Sequence, residues 1–124
     1  MVLSLFGGDG YKDISAKEAF ELYKKGVLFI DIRSQGEYEK HHPVGSKLVV
    51  SFFDQKASKK NPLFFDQFYM ALGEDEEREV VIICRTGTRT KWAAKELVKL
   101  GYTNIYNVTH GYVEWMKAGL PRER

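Results

Sequence analysis

One cysteine, three histidines, three prolines and two tryptophans are all that this chain of 124 residues carries of those types. A single cysteine excludes an internal disulfide, so the core must hold the fold, and a reducing compartment such as the cytoplasm is expected. Neither sign of charge is in excess. Nineteen Lys and Arg against seventeen Asp and Glu leave a formal +2, too little to imply a nucleic-acid partner. The basic stretch Lys56-Ala57-Ser58-Lys59-Lys60 and the acidic Glu74-Asp75-Glu76-Glu77 roughly offset each other and read as solvated loop faces. No apolar run approaches the ~20 residues that cross a bilayer, so no membrane contact is expected. The start, Met1-Val2-Leu3-Ser4-Leu5-Phe6-Gly7-Gly8, lacks the basic opening and the apolar stretch of ~7 residues that a secretory signal needs. His41-His42 has the look of a metal pair. Adjacent residues rarely converge, however, and no cysteine or carboxylate pair completes a tetrahedral set, so neither a metal nor a cofactor is expected.

What is present suits one ordinary globular domain spanning residues 1–124, with a core from about 14 to 121. A chain of this size buries roughly two thirds of its unfolded surface. Ser15-Ala16-Lys17-Glu18 is a capping box, and Ala19, Phe20, Leu22 and Tyr23 continue it as an amphipathic helix that Lys25-Gly26 ends. Val27-Leu28-Phe29-Ile30-Asp31 reads as a buried parallel strand, and Glu37 to Lys40 as a short helical turn broken by Pro43-Val44-Gly45. Lys47 to Val50 reads as a further strand. After Asn61-Pro62, the spacing of Leu63, Phe64, Phe68, Tyr69 and Leu72 predicts a helix laying aromatic rings on the sheet. Val80 to Cys84 is a strand, Lys91 to Leu100 a helix closed by Gly101, Asn104 to Val108 a strand, and Tyr112 to Ala118 a last helix stopped by Gly119 and Pro121. Alternating strands and helices predict an α/β fold with a parallel sheet covered on both faces, which binds ligands beyond the carboxyl ends of its strands.

Cys84 stands at one of those ends. It closes the apolar run Val80-Val81-Ile82-Ile83 and is followed by Arg85-Thr86-Gly87-Thr88-Arg89-Thr90. A free thiol titrates near ~8.5, leaving only about 3% thiolate at neutral pH, so a nucleophilic cysteine needs positive surroundings. A helix N-terminus contributes ~0.3–1 kcal/mol. Two guanidinium groups and inward-turned backbone N–H donors would add to it, which makes the loop read as an anion cradle. Cysteine at a strand end is otherwise commonly a small buried hydrophobe. The flanking arginines and glycine favour the reactive reading.

Taken together, Asp31-Ile32-Arg33-Ser34 with Glu37-Tyr38, then His42 and Gly45, then Cys84 to Thr90 with Ala93-Ala94, Leu97 and Gly101, and finally Gly111 and Trp115, resemble a single rhodanese domain from about Ile14 to Pro121. The resemblance implies a five-stranded parallel sheet flanked by helices, with a sulfurtransferase cysteine in the loop after the fourth strand. It implies that Cys84 takes the outer sulfur of thiosulfate or a persulfide and passes it to a thiol or cyanide, in two covalent steps. Arg85 and Arg89 would draw the anionic donor, and the backbone from Arg85 through Thr86, Gly87 and Thr88 to Arg89 would share the charge of the bound sulfur. The alternative within the family is a carrier loaded by a protein donor and emptied by a protein acceptor. Phosphatases of the same fold place five residues between cysteine and arginine. Here four intervene and Ile83 replaces their histidine, which suits a single sulfur atom better than a phosphate.

Several supporting residues carry two readings. Arg89 either braces the loop by a salt bridge to Asp31 or touches substrate. Asp31 is expected to be structural, because sulfur transfer to a thiolate abstracts no proton from the donor. Arg85 is expected at the pocket mouth or in solvent, and Arg33 at the surface or the mouth. His42 is expected to serve as a structural hydrogen-bonding residue. His110, standing where the family commonly has glycine, either narrows the pocket or lies on the surface. Trp92 and Trp115 read as core aromatics. Phe52-Phe53 and Phe64-Phe65 are either core or an exposed patch.

Overall fold

A computed structural model describes residues 10–54 and 59–124. The readings made above of residues 1–8 and 56–58 fall outside that range. In chain order the elements are β1 (Lys12–Ile14), α1 (Ala16–Lys24), β2 (Leu28–Asp31), α2 (Gln35–Lys40), β3 (His42–Pro43), β4 (Lys47–Leu48) and β5 (Phe52–Asp54). They continue with β6 (Lys59–Lys60), α3 (Phe64–Leu72), β7 (Val80–Ile83), α4 (Thr88–Lys99), β8 (Ile105–Val108), α5 (Gly111–Lys117) and β9 (Arg122–Glu123).

Five of the strands form one parallel sheet in the order β1-β8-β7-β2-β4, as expected of the α/β reading. The side-chain alternation of its two central strands builds two cores. Leu28, Ile30, Val80 and Ile82 face α3 and α4, where Phe64, Phe68, Ala93, Ala94 and Leu97 close over them. Phe29, Val81 and Ile83 face the opposite way, onto Ala19 of α1 and Tyr112 and Trp115 of α5. Each such apolar side chain, fully buried, contributes roughly 1.5–3 kcal/mol before the entropy of ordering it is counted. Trp115 is fully buried, packs against Phe29 with the rings tilted by 53° at 5.4 Å, and gives its indole N–H to the Pro121 carbonyl at 2.9 Å.

Three short features differ from the expectations. The edge strand β1 lies within Lys-Asp-Ile, where only Ile14 is buried, so its sequence carries almost no periodic signal. His42–Pro43 and Arg122–Glu123 pair as a two-stranded antiparallel ribbon, although the first contains a proline and the second lies beyond a helix stop. Helix α4 begins at Thr88 rather than Lys91, because Gly87 adopts a left-handed φ of +97° and turns the chain straight into it. The aromatic pairs divide. Phe64 is buried, Phe52 and Phe65 lean on Trp92, and Phe53 is exposed. Trp92 is accordingly half-buried, with the Lys60 ammonium over its ring at 4.6 Å. Among the described residues no helix is long and apolar enough to cross a membrane.

Candidate active site

The site forms where β2 and β7 end side by side. Asp31 is in register with Ile83, and the Ile32 N–H reaches the Ile83 carbonyl at 2.9 Å, so the segments after the two strands start together. From β7 comes Cys84, and from β2 come Ile32 and Arg33. Helix α2 follows, capped by Ser34, whose hydroxyl and backbone exchange hydrogen bonds with Glu37.

Cys84 is 1% exposed and sits at the floor of its loop. The Gly87 N–H donates to its Sγ at 3.2 Å, and the Thr90 hydroxyl lies 3.5 Å from the same sulfur while also reaching the Gly87 carbonyl at 3.2 Å. The loop is held open from behind by α5. Tyr112 N–H donates to the Cys84 carbonyl at 2.8 Å and Val113 N–H to the Arg85 carbonyl at 3.1 Å. In a trans peptide the N–H lies opposite the carbonyl, so the N–H groups of Arg85 and Thr86 point away from α5. Two glycines allow this packing. A Cβ on Gly87 would stand 1.9 Å from the Thr109 carbonyl oxygen, and one on Gly111 would stand 2.5 Å from the carbonyl oxygens of both Cys84 and Arg85.

The charged residues pair differently from the expected brace. Arg89 forms its ion pair with Glu37, not with Asp31, through Nη1 to Oε1 at 2.8 Å and Nη2 to Oε2 at 3.1 Å. Arg89 lies in the first turn of α4, whose side chains tilt back toward the helix N-terminus, and α2 brings Glu37 to that side. Burial pushes the Glu37 carboxyl up, but the hydrogen bonds of Arg89 and of the Ser34 backbone outweigh it and hold the group at about 2. Glu37 and its neighbours in turn raise Arg89 further, against burial.

Asp31 belongs to Arg33. Its carboxylate is fully buried and takes Arg33 Nη2 at 2.8 Å, Nε at 3.0 Å and the Arg33 backbone N–H at 3.0 Å. Burial pushes the Asp31 carboxyl up, while Arg33 pulls it down. Arg33 itself is buried, donates to the His41 carbonyl at 2.7 Å and lies 4.1 Å from the centre of the Tyr112 ring. It is therefore neither a surface residue nor free to swing. Asp31 and Arg33 tie β2 to α2 and α5.

Arg85, Thr86 and Thr88 are exposed on the rim of the loop. His42 is buried, stacks on Tyr38 at 3.6 Å, meets the Tyr38 carbonyl through Nδ1 at 2.8 Å and faces Glu123 through Nε2 at 3.3 Å. His41 turns instead to Arg124. The two histidines thus serve different contacts. His110 is exposed as the residue before α5 and lines, with Thr86 and Val113, a depression of about 370 Å³ beside the loop. Sequence reasoning overlooked Glu37 and Thr90 as site residues. Glu37 had a signal, since it is the third helical residue and the partner of Ser34 in the capping box, and Thr90 had only its place six residues after Cys84.

Comparison with known proteins agrees with this arrangement. The rhodanese-like domain family matches residues 15–118. The chain is 29% identical to thiosulfate sulfurtransferase 16, chloroplastic, of Arabidopsis thaliana over 110 residues, covering 87% of this chain and 89% of the relative. It is 31% identical to thiosulfate sulfurtransferase GlpE of Coxiella burnetii over 107 residues, covering 85% and 87%. The polysulfide-sulfur transferase homodimer of Wolinella succinogenes matches with a TM-score of 0.72 at 25% identity, over 92% of this chain and 79% of its own. A buried cysteine just after β7, met by the Gly87 N–H in a loop braced from α2 and α5, therefore stands in a chain that belongs to the rhodanese-like domain family.

Proposed function

We propose that this rhodanese-type sulfurtransferase works through a persulfide on Cys84. The observation that carries the reading is the Gly87 N–H directed at Cys84 Sγ from 3.2 Å, in a loop whose rear carbonyls are already taken by α5. A backbone donor so placed is matched to sulfur that bears negative charge. The Cys84 thiolate attacks the outer sulfur of thiosulfate or of a persulfide donor. The S–S bond of the donor breaks, and sulfite, or the donor's thiolate, leaves with the electron pair. The transferred atom stands about 2 Å beyond Sγ, the length of an S–S bond. There the N–H groups of the Arg85-Thr86-Gly87-Thr88-Arg89 loop share its charge. A thiol or cyanide then attacks that outer sulfur and the Cys84 thiolate is regenerated.

Arg85 draws the anionic donor, whereas Arg89, held by Glu37, fixes the loop. Asp31, Arg33 and His42 position the segments around it. A protein donor or acceptor is the alternative to small molecules at the same sulfur. With its single cysteine free of any internal disulfide, the chain suits a reducing compartment, and the cytoplasm is the place we assign. The test is intact-mass measurement after thiosulfate, together with sulfite release. A gain of one sulfur, absent from Cys84→Ser, is expected, and no adduct from any donor refutes the reading. Steady sulfite release with a small thiol favours the enzyme, and loading only beside a second protein favours the carrier.

A further inference from the structure

Strand β8 ends at Val108 and helix α5 begins at Gly111, so Thr109 and His110 alone join them. Both neighbours of His110 press on the Cys84 loop. The Thr109 carbonyl oxygen lies 1.9 Å from where a Cβ on Gly87 would stand, and Gly111 packs on the Cys84 and Arg85 carbonyls with no room for a Cβ of its own. From the other side the Thr109 N–H donates to the Ile14 carbonyl at 3.1 Å, which ties the linker to β1. An imidazole is thereby anchored at the rim of the reactive loop, exposed, in the depression of about 370 Å³ that it lines with Thr86, Val113, Glu114 and Lys117.

Discharge of a persulfide by a thiol has a proton to remove, because the thiolate is the nucleophile and an unperturbed cysteine thiol is only about 3% ionised at neutral pH. A base for that proton must stand at the loop with a lone pair to spare, and histidine is the side chain suited to it near neutrality. Most other acceptors around the loop are engaged. Asp31 is enclosed by Arg33 and Glu37 by Arg89, while His42 is buried between the Tyr38 carbonyl and Glu123, and His41 faces Arg124. In the depression itself the Glu114 carboxylate takes the Ala16 N–H at the start of α1, and Lys117 is a cation. These two, both on α5, are the charged groups that share the depression with His110, and the loop side contributes the uncharged Thr86. Among the described residues the His110 ring has no hydrogen-bond or ion-pair partner.

We propose that His110 is the catalytic base of the second half-reaction, taking the proton of an acceptor thiol as that thiol attacks the outer sulfur on Cys84. The inference rests on the sulfur-transfer reading of Cys84. The acceptor S–H bond breaks and its proton goes to an imidazole nitrogen. The acceptor sulfur bonds to the outer sulfur, the bond from that atom to Cys84 Sγ breaks, and its electron pair stays on Sγ. The acceptor leaves as a persulfide and the imidazolium returns its proton to water, so no oxidant or reductant is consumed. The gain has a ceiling. A base that ionises a thiol otherwise about 3% ionised accelerates its attack by at most roughly 30-fold at neutral pH, and an acceptor that arrives ionised gains nothing.

The experiment uses the whole chain, loaded with sulfur by thiosulfate, freed of donor and discharged in a single turnover, with loss of one sulfur followed by intact mass. Two acceptors are compared. N-acetylcysteine amide carries no charge beside its thiol and is mostly protonated at pH 7, whereas 4-nitrobenzenethiol is already ionised there. His110→Gln should slow discharge by the first roughly tenfold at pH 7, and leave discharge by the second as in the parent. The gap should close above about pH 9.5, where the first thiol ionises unaided, and free imidazole should restore part of the rate in His110→Gly. Equal rates for parent and His110→Gln overturn the base. So does an equal slowing with both acceptors, the mark of a residue that only shapes the loop. Normal loading with unchanged discharge overturns the role of His110 alone, and a Cys84 that takes no sulfur from any donor overturns it together with the sulfur-transfer reading.

Discussion

Replacing Glu37 by Gln isolates the charge that holds the reactive loop, because Gln keeps the length of the side chain and can still serve as the third residue of a capping box. In the folded chain the Glu37 carboxyl titrates at about 2 instead of 4.5. That difference corresponds to roughly 3 kcal/mol of folding stability at neutral pH. The side chain keeps 23% exposure, and screening by the solvent along that edge reduces the expected contribution to ~2 kcal/mol. The sign follows from the direction of the change. A carboxyl whose pKa is depressed by folding stabilises the native state fully above its unfolded value, near 4.5, and loses that contribution as the pH falls toward about 2. Urea unfolding of the parent and of Glu37→Gln from pH 7 to pH 2.5 reads this directly. The parent should be more stable by ~2 kcal/mol at pH 7, and the two curves should converge below about pH 4. Other carboxylates titrate in both proteins and cancel in the difference. Equal stability at pH 7, or a gap that stays constant down to pH 2.5, refutes the reasoning.

Arg33→Met should cost roughly 3–5 kcal/mol in the same unfolding assay, because it strands the fully buried Asp31 carboxylate, and adding Asp31→Leu should recover part of that loss. If the double substitution is no better than Arg33→Met alone, the buried pair is not the cause. Gly87→Ala should lower the melting temperature and change the rate at which iodoacetamide alkylates Cys84, since φ is +97° and the added Cβ meets the Thr109 carbonyl oxygen at 1.9 Å. A normal melt with normal alkylation contradicts the close approach. Thr90→Val should slow alkylation of Cys84 at neutral pH about fivefold, the equivalent of one hydrogen bond of ~1 kcal/mol, and Thr90→Ser should restore it. Unchanged alkylation in Thr90→Val would remove Thr90 from the site.

The sequence made the central part of the fold legible because burial on both faces leaves a plain mark. Leu28–Asp31 and Val80–Ile83 are short apolar runs flanked by helical patterns, and both are strands of the parallel sheet. The ends of the sheet leave no such mark. In β1 only Ile14 is buried, and its pairing with β8 is made by backbone rather than by a periodic apolar face. The β3–β9 ribbon joins residues some eighty positions apart and contains Pro43, so nothing local announces it. The same division holds in the site. Cys84, Gly87 and the exposure of Arg85 followed from residue types at a strand end, which are local facts. Which carboxylate Arg89 would meet was a question of where α2 lies relative to α4. Asp31 and Glu37 were both within the same stretch of sequence, and the choice fell to Glu37 because Arg33 already encloses Asp31.

That choice bears on what the loop can hold. A phosphate dianion bound by a cysteine loop is gripped by an arginine fork whose two terminal nitrogens meet two phosphate oxygens. In this chain the only arginine that follows the loop at helix α4 has both terminal nitrogens on Glu37, in a pair whose side chains are 7% and 23% exposed. Releasing the fork would break two charge-assisted hydrogen bonds and leave Glu37 half-buried without its partner, at a cost of about 2 kcal/mol. With Arg89 so engaged, the backbone donor recorded at Cys84 Sγ is the Gly87 N–H, which in the proposed reaction meets the charge there. With four residues between Cys84 and Arg89, the loop encloses a smaller space than the five-residue loop that takes a phosphate. On the proposed persulfide reading, the count of four residues between Cys84 and Arg89 and the Glu37 pairing both favour sulfur carried one atom at a time.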